Sequence, residues 1–327
     1  MRTRARPVGR LSAYSLRVSL LEQCQLTCGY CMPGAINPFT HNDRWLRREH
    51  HARLAPLFGS RGVKKVRFTG GEPLLRPDVA DVVGAWRRAL PDADLALTTN
   101  GQHLARHLDA LVAAGLNRVT VHVDTLRAER YPTLMGAGSP DDVLAQAQRA
   151  TERLAEVKLN VVVQKGLNDD ELLDFLALSR ELSMQVRFIE LMNTGSATGH
   201  VEHTFLSGEE ILARVAASRP VRALERHRAS DPAALYRLDD DGTVFGLIAS
   251  DTQPFCSACD RLRLGAEGAL RGCLYAPDGV PLGEALRAGA DDKELLRLLD
   301  EGLDDKRSFH PTVAIDRVPF SMADIGG

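Results

Sequence analysis

The hydrophobic pattern alternates between two periods along the chain up to about residue 192. Short apolar runs typical of strands alternate with stretches in which apolar residues recur every three or four positions. We predict strands at Leu16–Leu21, Lys65–Thr69, Leu95–Thr99, Arg118–Asp124, Lys158–Val163 and Gln185–Leu191. We predict helices at Asp78–Leu90, His103–Ala114, Asp141–Val157 and Asp169–Leu182. This alternation indicates βα units, which build a parallel sheet covered by helices.

The predicted strands are almost continuously apolar, as expected for a sheet that is buried on both faces. Six βα units are too few to close the eight-stranded barrel of the TIM type. We therefore predict an α/β fold, an open partial TIM-like barrel of the (β/α)6 type. In such folds ligands gather at the carboxyl edge of the strands, so the loops there are the first place to look for chemistry.

The pattern changes after about residue 220. A predicted helix at Ser207–Ala217 is followed by three short strands and two short helices. They lie at Tyr236–Asp239, Thr243–Ala249, Arg261–Leu264, Leu282–Ala288 and Lys293–Leu303. We predict a basic N-terminal arm over residues 1–15, the partial barrel over 16–220, and a smaller C-terminal module over 221–327 that packs on the barrel.

Composition excludes several classes of protein. The chain has 327 residues, 44% hydrophobic and 26% charged, as in an ordinary globular protein. Its net charge of −2 gives no basic field that would favour nucleic acid. No apolar run approaches the roughly 20 residues that cross a bilayer, and no secretory signal is present. The arm faintly resembles a transit peptide but is interpreted as a solvated tail. We expect a cytoplasmic protein with no membrane or nucleic-acid partner.

All six cysteines fall into two triplets. Cys24, Cys28 and Cys31 form a C-x3-C-x2-C loop directly after the first predicted strand. Three thiolates on one loop can hold three irons of a cubane 4Fe-4S cluster, and the fourth iron is then open to a substrate. Structural zinc is the weaker alternative, because it normally has four ligands at CxxC-type spacings. Disulfides are not expected in a protein of this compartment.

Cys256, Cys259 and Cys273 form the second triplet. A CxxC beside predicted short strands, with one distant cysteine, fits either a zinc ribbon that lacks a ligand or a second cluster with an open iron. We favour the second cluster, because the first triplet already points to cluster chemistry. The chain would then hold two 4Fe-4S clusters.

A glycine turn follows the second predicted strand as Thr69-Gly70-Gly71-Glu72-Pro73. Gly70 and Gly71 let the backbone approach a ligand closely or adopt a positive φ. The backbone carbonyls and the Glu72 carboxylate can accept hydrogen bonds from an ammonium group. Alone, the turn is equally a plain connection in which Pro73 starts a helix.

The cysteine loop, with Tyr30 before its last cysteine, and the glycine turn one βα unit later resemble the signature of the radical S-adenosylmethionine (SAM) superfamily. In that superfamily the open iron binds the amino and carboxylate groups of SAM. One electron from the reduced cluster breaks the C5′–S bond and releases a 5′-deoxyadenosyl radical. The resemblance therefore implies SAM as a cofactor, with the protein binding, orienting and shielding it.

The second triplet narrows the resemblance. The stretches 254–264 and 268–274, together with shorter matches along the chain and the closing Gly326-Gly327, resemble the GTP 3′,8-cyclase family. This implies that the radical abstracts hydrogen from C3′ of GTP and that C3′ then attacks C8. Reduction of the resulting nucleotide radical by one electron and one proton gives 3′,8-cyclo-7,8-dihydroguanosine 5′-triphosphate, the product of the first step of molybdenum cofactor biosynthesis. Implied partners are an external one-electron reductant and the downstream cyclic pyranopterin monophosphate synthase. A homodimer is left open.

The resemblance also implies roles for individual residues. Contacts to SAM are implied for Tyr30, Gly71, Glu72, His122 and Met192. Contacts to GTP are implied for Arg17, Arg67, Thr98, Lys158, Arg261, Leu262 and Arg263, of which Arg17, Arg261 and Arg263 are also expected to be catalytic. Arg261 and Arg263 are two apart on a predicted strand, so both face one side, where guanidinium groups suit phosphate oxygens.

His122 departs from the family pattern, which commonly has a serine at this point. A histidine can still donate or accept a hydrogen bond there. Two other functions stay open at this stage. One is a radical SAM enzyme that modifies a peptide, which would commonly carry more cysteines in its C-terminal module. The other is a non-catalytic zinc protein that binds nucleic acid, which would need a basic face.

Overall fold

One sheet of twelve strands forms the framework of the protein. The computed structural model describes residues 14–31, 42–192, 198–226, 228–276 and 278–308. Most of the predicted basic arm and the terminal Gly326-Gly327 lie outside these residues. Within the described residues, no helix is long and apolar enough to cross a membrane.

The six predicted strands of the barrel are present. They are β1 (Tyr14–Ser19), β2 (Val63–Thr69), β3 (Asp94–Thr99), β4 (Arg118–His122), β5 (Glu156–Val163) and β6 (Gln185–Glu190). Each pairs in parallel with the next one along the chain. The predicted α/β partial barrel is confirmed.

Helices connect the strands and cover the outside of the sheet. They are α1 (Arg48–Ser60), α2 (Val79–Ala89), α3 (Leu104–Ala113), α4 (Tyr131–Met135), α5 (Pro140–Thr151) and α6 (Leu172–Glu181). The predicted helix Asp141–Val157 was too long, because Glu156 and Val157 pair with Arg118 and Val119 as the start of β5. Helix α1 was not predicted. It contains Pro56, which has no N–H to donate and so disfavours a helix. Tertiary packing stabilises the helix instead, since the ring centres of buried Phe58 and Trp86 lie 5.9 Å apart.

The C-terminal part of the chain lengthens this sheet at both ends. Its elements are α7 (Thr198–Thr204), α8 (Gly208–Ala216), β7 (Val221–Ala223), β8 (Ala234–Leu238), β9 (Val244–Ile248), β10 (Arg261–Leu264), β11 (Ala269–Arg271), β12 (Val280–Pro281), α9 (Leu282–Arg287) and α10 (Asp292–Ser308). Strand β9 pairs in parallel with β6, and β10 pairs in parallel with β1. Eight parallel strands therefore adjoin one another, although only six belong to βα units. A domain boundary near residue 220 stays a prediction.

Alternation along the strands decides which side chains face the inside of the barrel. In β1, Leu16 and Val18 are fully buried towards the helices, whereas Ser15 and Arg17 are only partly covered and line the interior. The same period of two places Arg261 and Arg263 on the interior face of β10, with Leu262 between them in the core.

Candidate active site

A cavity of about 410 Å³ occupies the inside of the partial barrel. Both cysteine triplets line it, together with inward-facing residues of all the parallel strands. Of the predicted site residues, it brings together all six cysteines and Arg17, Tyr30, Arg67, Gly71, Thr98, His122, Met192, Arg261 and Arg263. Glu72, Lys158 and Leu262 are not part of its wall.

The first triplet lies on the loop that follows β1, at the carboxyl edge of the sheet. Within this loop the Cys31 N–H donates to the carbonyl oxygen of Cys28 at 2.9 Å, and the Leu26 N–H lies 3.4 Å from the sulfur of Cys24. Burial raises the pKa of Cys24 to about 11 and that of Cys28 well above its ordinary value. Such thiols give up their protons when a metal supplies the compensating charge, so three of them facing one cavity fit a cluster.

The glycine turn packs against this cysteine loop. The Gly71 N–H donates to the Leu21 carbonyl at 2.8 Å, and the Glu72 N–H donates to the Gln23 carbonyl at 2.7 Å. A Cβ at Gly71 would lie 2.1 Å from the Gln23 oxygen. Glycine is therefore needed at position 71 because the backbone of the cysteine loop, just before Cys24, packs against it. The predicted close approach of a ligand would be a second reason.

Glu72 is fully buried behind the cavity wall. Its carboxylate accepts hydrogen bonds from the Leu74 N–H, the Thr99 hydroxyl and the Asn100 N–H at 2.7–2.9 Å. Burial raises the pKa of Glu72 to about 7 despite these donors. In this structure the side chain ties the glycine turn to the end of β3, and its contact with SAM stays a prediction.

Tyr30 and His122 meet over a buried carboxylate. The Tyr30 hydroxyl donates to Asp124 Oδ2 at 2.9 Å, and His122 Nε2 lies 2.6 Å from the same hydroxyl and 3.1 Å from Asp124 Oδ2. Burial lowers the pKa of His122, but the charge and hydrogen bond of Asp124 outweigh it and raise the pKa above its ordinary value. His122 therefore belongs to a polar group that fixes the tyrosine beside the first triplet.

The second triplet lies at the opposite end of the barrel. Cys256 and Cys259 precede β10, which runs parallel to β1, whereas Cys24 follows β1. Cys273 follows β11, which is antiparallel to β10 and so returns to the same end. The two triplets thus lie at opposite ends of the same cavity.

Glu190 fixes the loop that leads to the second triplet. This buried carboxylate at the end of β6 accepts hydrogen bonds from the N–H groups of Gly208, Asp251 and Thr252 at 2.6–3.1 Å, and from the Thr252 hydroxyl.

Downstream of that loop, the Arg261 guanidinium lies 4.6 Å from the centre of the Phe255 ring, a stacked arrangement that orients the arginine.

A row of arginines lines the wall between the two triplets. Arg263 pairs with Arg17 across β10 and β1, and Arg17 pairs with Arg67 across β1 and β2. Arg67 also donates to the hydroxyls of Thr98 and Thr120 at 2.9 and 3.1 Å. Burial and the neighbouring cations lower the pKa of Arg67 to about 9 and that of Arg263 to about 10. Clustered, buried guanidinium groups of this kind form a site for a polyanion.

The Lys158 and Leu262 side chains lie outside the cavity wall. The Lys158 ammonium is buried and forms an ion pair with Glu156 at 2.6 Å, two residues deeper on β5 than cavity-lining Asn160. Burial lowers its pKa to about 8. The Leu262 side chain is fully buried in the core, so only its backbone faces neighbouring strands. Both GTP contacts stay predictions.

Arg187, Arg118 and Asn160 also line the cavity, although no role was predicted for them. Arg187 and Arg118 add cations to the wall, and Arg118 is paired with Asp94 and Glu156. Asn160 faces the cavity with a buried Oδ1 that has no hydrogen-bond partner among the described residues. The sequence could have predicted a role for Arg187, because it is an arginine inside an otherwise apolar strand, as Arg67 is.

Among the described residues, no three Cys, His, Asp or Glu side chains converge closely enough to hold a single metal ion. A cubane cluster makes no such demand, because its three thiolates bind three different irons. Three thiols on the single loop after β1 fit such a donor set. A second cluster on Cys256, Cys259 and Cys273, which lie on two segments at the other end of the cavity, stays a prediction.

Known proteins match the chain over both of its parts. Residues 18–179 match the family described as the Radical SAM superfamily, and residues 184–312 match the one described as Molybdenum Cofactor Synthesis C. The structure of SuiB from Streptococcus suis bound to S-adenosylmethionine is similar in fold, with a TM-score of 0.62 and 15% identity over 86% of this chain and 66% of that one. Fold and first triplet thus define a radical SAM enzyme, which uses SAM and a 4Fe-4S cluster.

Curated relatives specify the family within that class. A protein of Heliobacterium modesticaldum named GTP 3′,8-cyclase is 38% identical over 95% of this chain and 97% of its own. GTP 3′,8-cyclase 1 of Mycobacterium tuberculosis is 39% identical over 88% of this chain and 81% of its own, and the Streptomyces coelicolor enzyme is 40% identical over 88% and 85%. The chain belongs to the GTP 3′,8-cyclase family.

Replacing Gly71 with alanine tests how the glycine turn supports the cysteine loop. The new Cβ would lie 2.1 Å from the Gln23 oxygen, so the loop must shift. We expect Gly71→Ala to lose iron from the first cluster and to slow reductive SAM cleavage on the order of 100-fold, as a 1 Å misplacement does. Gly265→Ala is the matched control, because its Cβ would meet nothing closer than 3.6 Å. Normal 5′-deoxyadenosine formation by Gly71→Ala would contradict this account.

Proposed function

We propose that the cavity binds SAM at the first triplet and GTP between the two triplets, and that it there converts GTP to 3′,8-cyclo-7,8-dihydroguanosine 5′-triphosphate. One observation carries the proposal. Two cysteine triplets lie at opposite ends of a single cavity, and arginines line the wall between them. This arrangement fits a substrate that has a metal-binding group at one end and a polyanionic group at the other.

The first triplet and its surroundings bind SAM in this proposal. Cys24, Cys28 and Cys31 hold the cluster, and the backbone of Gly71 together with Tyr30, His122 and Met192 surrounds the cofactor. A cluster bound there would supply the one-electron reduction of SAM, and the 5′-deoxyadenosyl radical so generated would take the hydrogen from C3′ of GTP. The buried Asp124 keeps the Tyr30 and His122 side chains in place.

The arginine row binds the triphosphate. Arg17, Arg67 and Arg263 stand side by side on three adjacent strands, and their mutual repulsion falls when phosphate oxygens lie between them. Arg187 and Arg118 extend the same positive wall. This concentration of cations favours GTP over the peptide substrate of the alternative function, since a peptide backbone carries no such charge.

The second triplet holds the second cluster. Cys256, Cys259 and Cys273 supply three ligands, which leaves one iron open for a nitrogen or oxygen of guanine. Fixing the base at this end and the phosphates on the arginine row orients the ribose, so that C3′ faces the radical. The external reductant, the downstream synthase and a dimeric state remain expectations from the family.

Product analysis tests the proposed function. The full-length enzyme, reconstituted without oxygen, should form the cyclised nucleotide and one 5′-deoxyadenosine per product from GTP, SAM and a reductant. We expect Cys24→Ser to abolish both products, because the ligand set of the first cluster is broken. Cys273→Ser should abolish the cyclised nucleotide while SAM cleavage continues at a residual rate. Cyclised nucleotide from Cys273→Ser at the normal rate would refute a need for the second cluster.

Removing the cavity arginines tests the phosphate role. A charge-assisted hydrogen bond is worth ~1.5–3 kcal/mol, so Arg261→Ala and Arg263→Ala should each weaken GTP binding roughly tenfold or more. Binding of guanosine and of SAM should change little, as measured by equilibrium titration. Arg106→Ala, on the exposed surface of α3, controls for net charge. An equal loss for guanosine and GTP would assign the arginines to the base instead.

Replacing His122 with the usual family residue tests its role. Because Tyr30 also donates to Asp124 directly, the tyrosine keeps one anchor in His122→Ser. We expect the variant to retain most SAM affinity and substantial product formation. Loss of cyclisation with SAM binding intact would instead make His122 a catalytic residue peculiar to this chain.

A further inference from the structure

Lys306 is a buried cation beside the second triplet, and the reaction described above does not use it. It lies on α10 and is 6% exposed. Its ammonium donates to the sulfur of Cys259 at 3.4 Å and to the carbonyl oxygen of Gly272 at 3.0 Å. Gly272 directly precedes Cys273, so one ammonium links the two segments that carry the triplet.

The fold holds Lys306 in this place by close approach of α10 to β11. A Cβ at Gly272 would lie 2.6 Å from the backbone nitrogen of Lys306 and 2.7 Å from its Cα. On the helix side, a Cβ at Gly302 would lie 2.6 Å from the side chain of Leu270. Glycine on both elements therefore allows the helix backbone to pass directly over the cysteine segment, which leaves the lysine little freedom to turn elsewhere.

A buried ammonium is costly unless negative charge compensates it. Among the described residues, the partners of Lys306 are a sulfur and a carbonyl oxygen rather than a carboxylate. Cysteine thiolates that bind iron, and the cluster they hold, carry negative charge that would compensate the lysine.

We propose that Lys306 is a positioning residue of the second cluster, which it stabilises through an N–H···S hydrogen bond to the Cys259 ligand. The inference rests on the second cluster of the proposed function. Hydrogen bonds to ligand sulfurs and nearby positive charge both favour the reduced form of a cluster, because reduction adds a negative charge. Lys306 therefore raises the reduction potential of this cluster.

The test compares three variants of the full-length enzyme, reconstituted without oxygen and without GTP. Lys306→Met keeps the aliphatic length but removes the charge, and Lys306→Arg keeps the charge. Lys293→Met, at an exposed position of the same helix, is the control. Iron and sulfide content is measured first, followed by a redox titration monitored by electron paramagnetic resonance. A background with Cys24→Ser, Cys28→Ser and Cys31→Ser isolates the signal of the second cluster.

We expect Lys306→Met to lower the midpoint potential of the second cluster by about 59 mV, a tenfold change in its one-electron equilibrium. Lys306→Arg and Lys293→Met should keep the potential of the natural enzyme. Loss of the second cluster in Lys306→Met, but not in Lys306→Arg, would equally support the need for a cation.

An unchanged potential in Lys306→Met would overturn the inference while leaving the proposed function intact. Equal loss of the second cluster in Lys306→Met and Lys306→Arg would also overturn it, because shape rather than charge would then matter. Natural enzyme that holds the iron of only one cluster would overturn the second cluster itself, and the inference with it.

Discussion

The parallel pairing of β10 with β1 is the contact on which the site depends. Leu16 pairs with Leu262 and Arg17 with Arg263, and both leucines are fully buried. This register joins two segments that are far apart in sequence and aligns their arginines. Because β10 runs in the same direction as β1, the cysteines before it come to the end of the barrel opposite those after β1. The pairing thus sets the polarity of the whole cavity.

The arginines of the cavity wall destabilise the empty fold, and a bound polyanion would offset that cost. Arg17, Arg67 and Arg263 repel one another in a buried setting, and the pKa of each guanidinium is lowered. A lowered pKa means that the charged form is disfavoured in the folded state relative to water. Functional sites commonly depart from the most stable arrangement in this way. The hydrophobic strands around the wall supply the stability that such a site lacks.

Local sequence patterns predicted the fold well where the hydrophobic period and the residue types indicate the same element. The six barrel strands were predicted from short apolar runs, and the period of two correctly placed Arg261 and Arg263 on one face of β10. Helix α1 was missed, because Pro56 opposes a helix that tertiary contacts with Trp86 stabilise. The C-terminal strands were predicted as part of a smaller module that packs on the barrel, but their pairing with both ends of the sheet was not predicted. Pairing between distant segments leaves no periodic trace in either one.

In the site, too, the sequence predicted local features but not the contacts between distant segments. The cysteine triplets and nine other lining residues were found from motifs and a family resemblance. The enclosed position of Glu72, the ion pair of Lys158 and the contact of Lys306 with Cys259 were not, since each depends on which strand or helix ends beside another. The spacing of residues in the sequence shows which of them share a segment. Which segments lie next to each other in the site depends on how the sheet and helices pack.

The central claim is that GTP spans the cavity with its guanine on the open iron of the second cluster. Electron–nuclear double resonance of the reduced enzyme with ¹⁵N-labelled GTP tests this most directly. The account predicts ¹⁵N coupling from guanine that is absent without nucleotide and absent in Cys273→Ser, together with weakened GTP binding in that variant. No coupling from guanine, and normal GTP binding by a Cys273→Ser enzyme that holds only the first cluster, would contradict it.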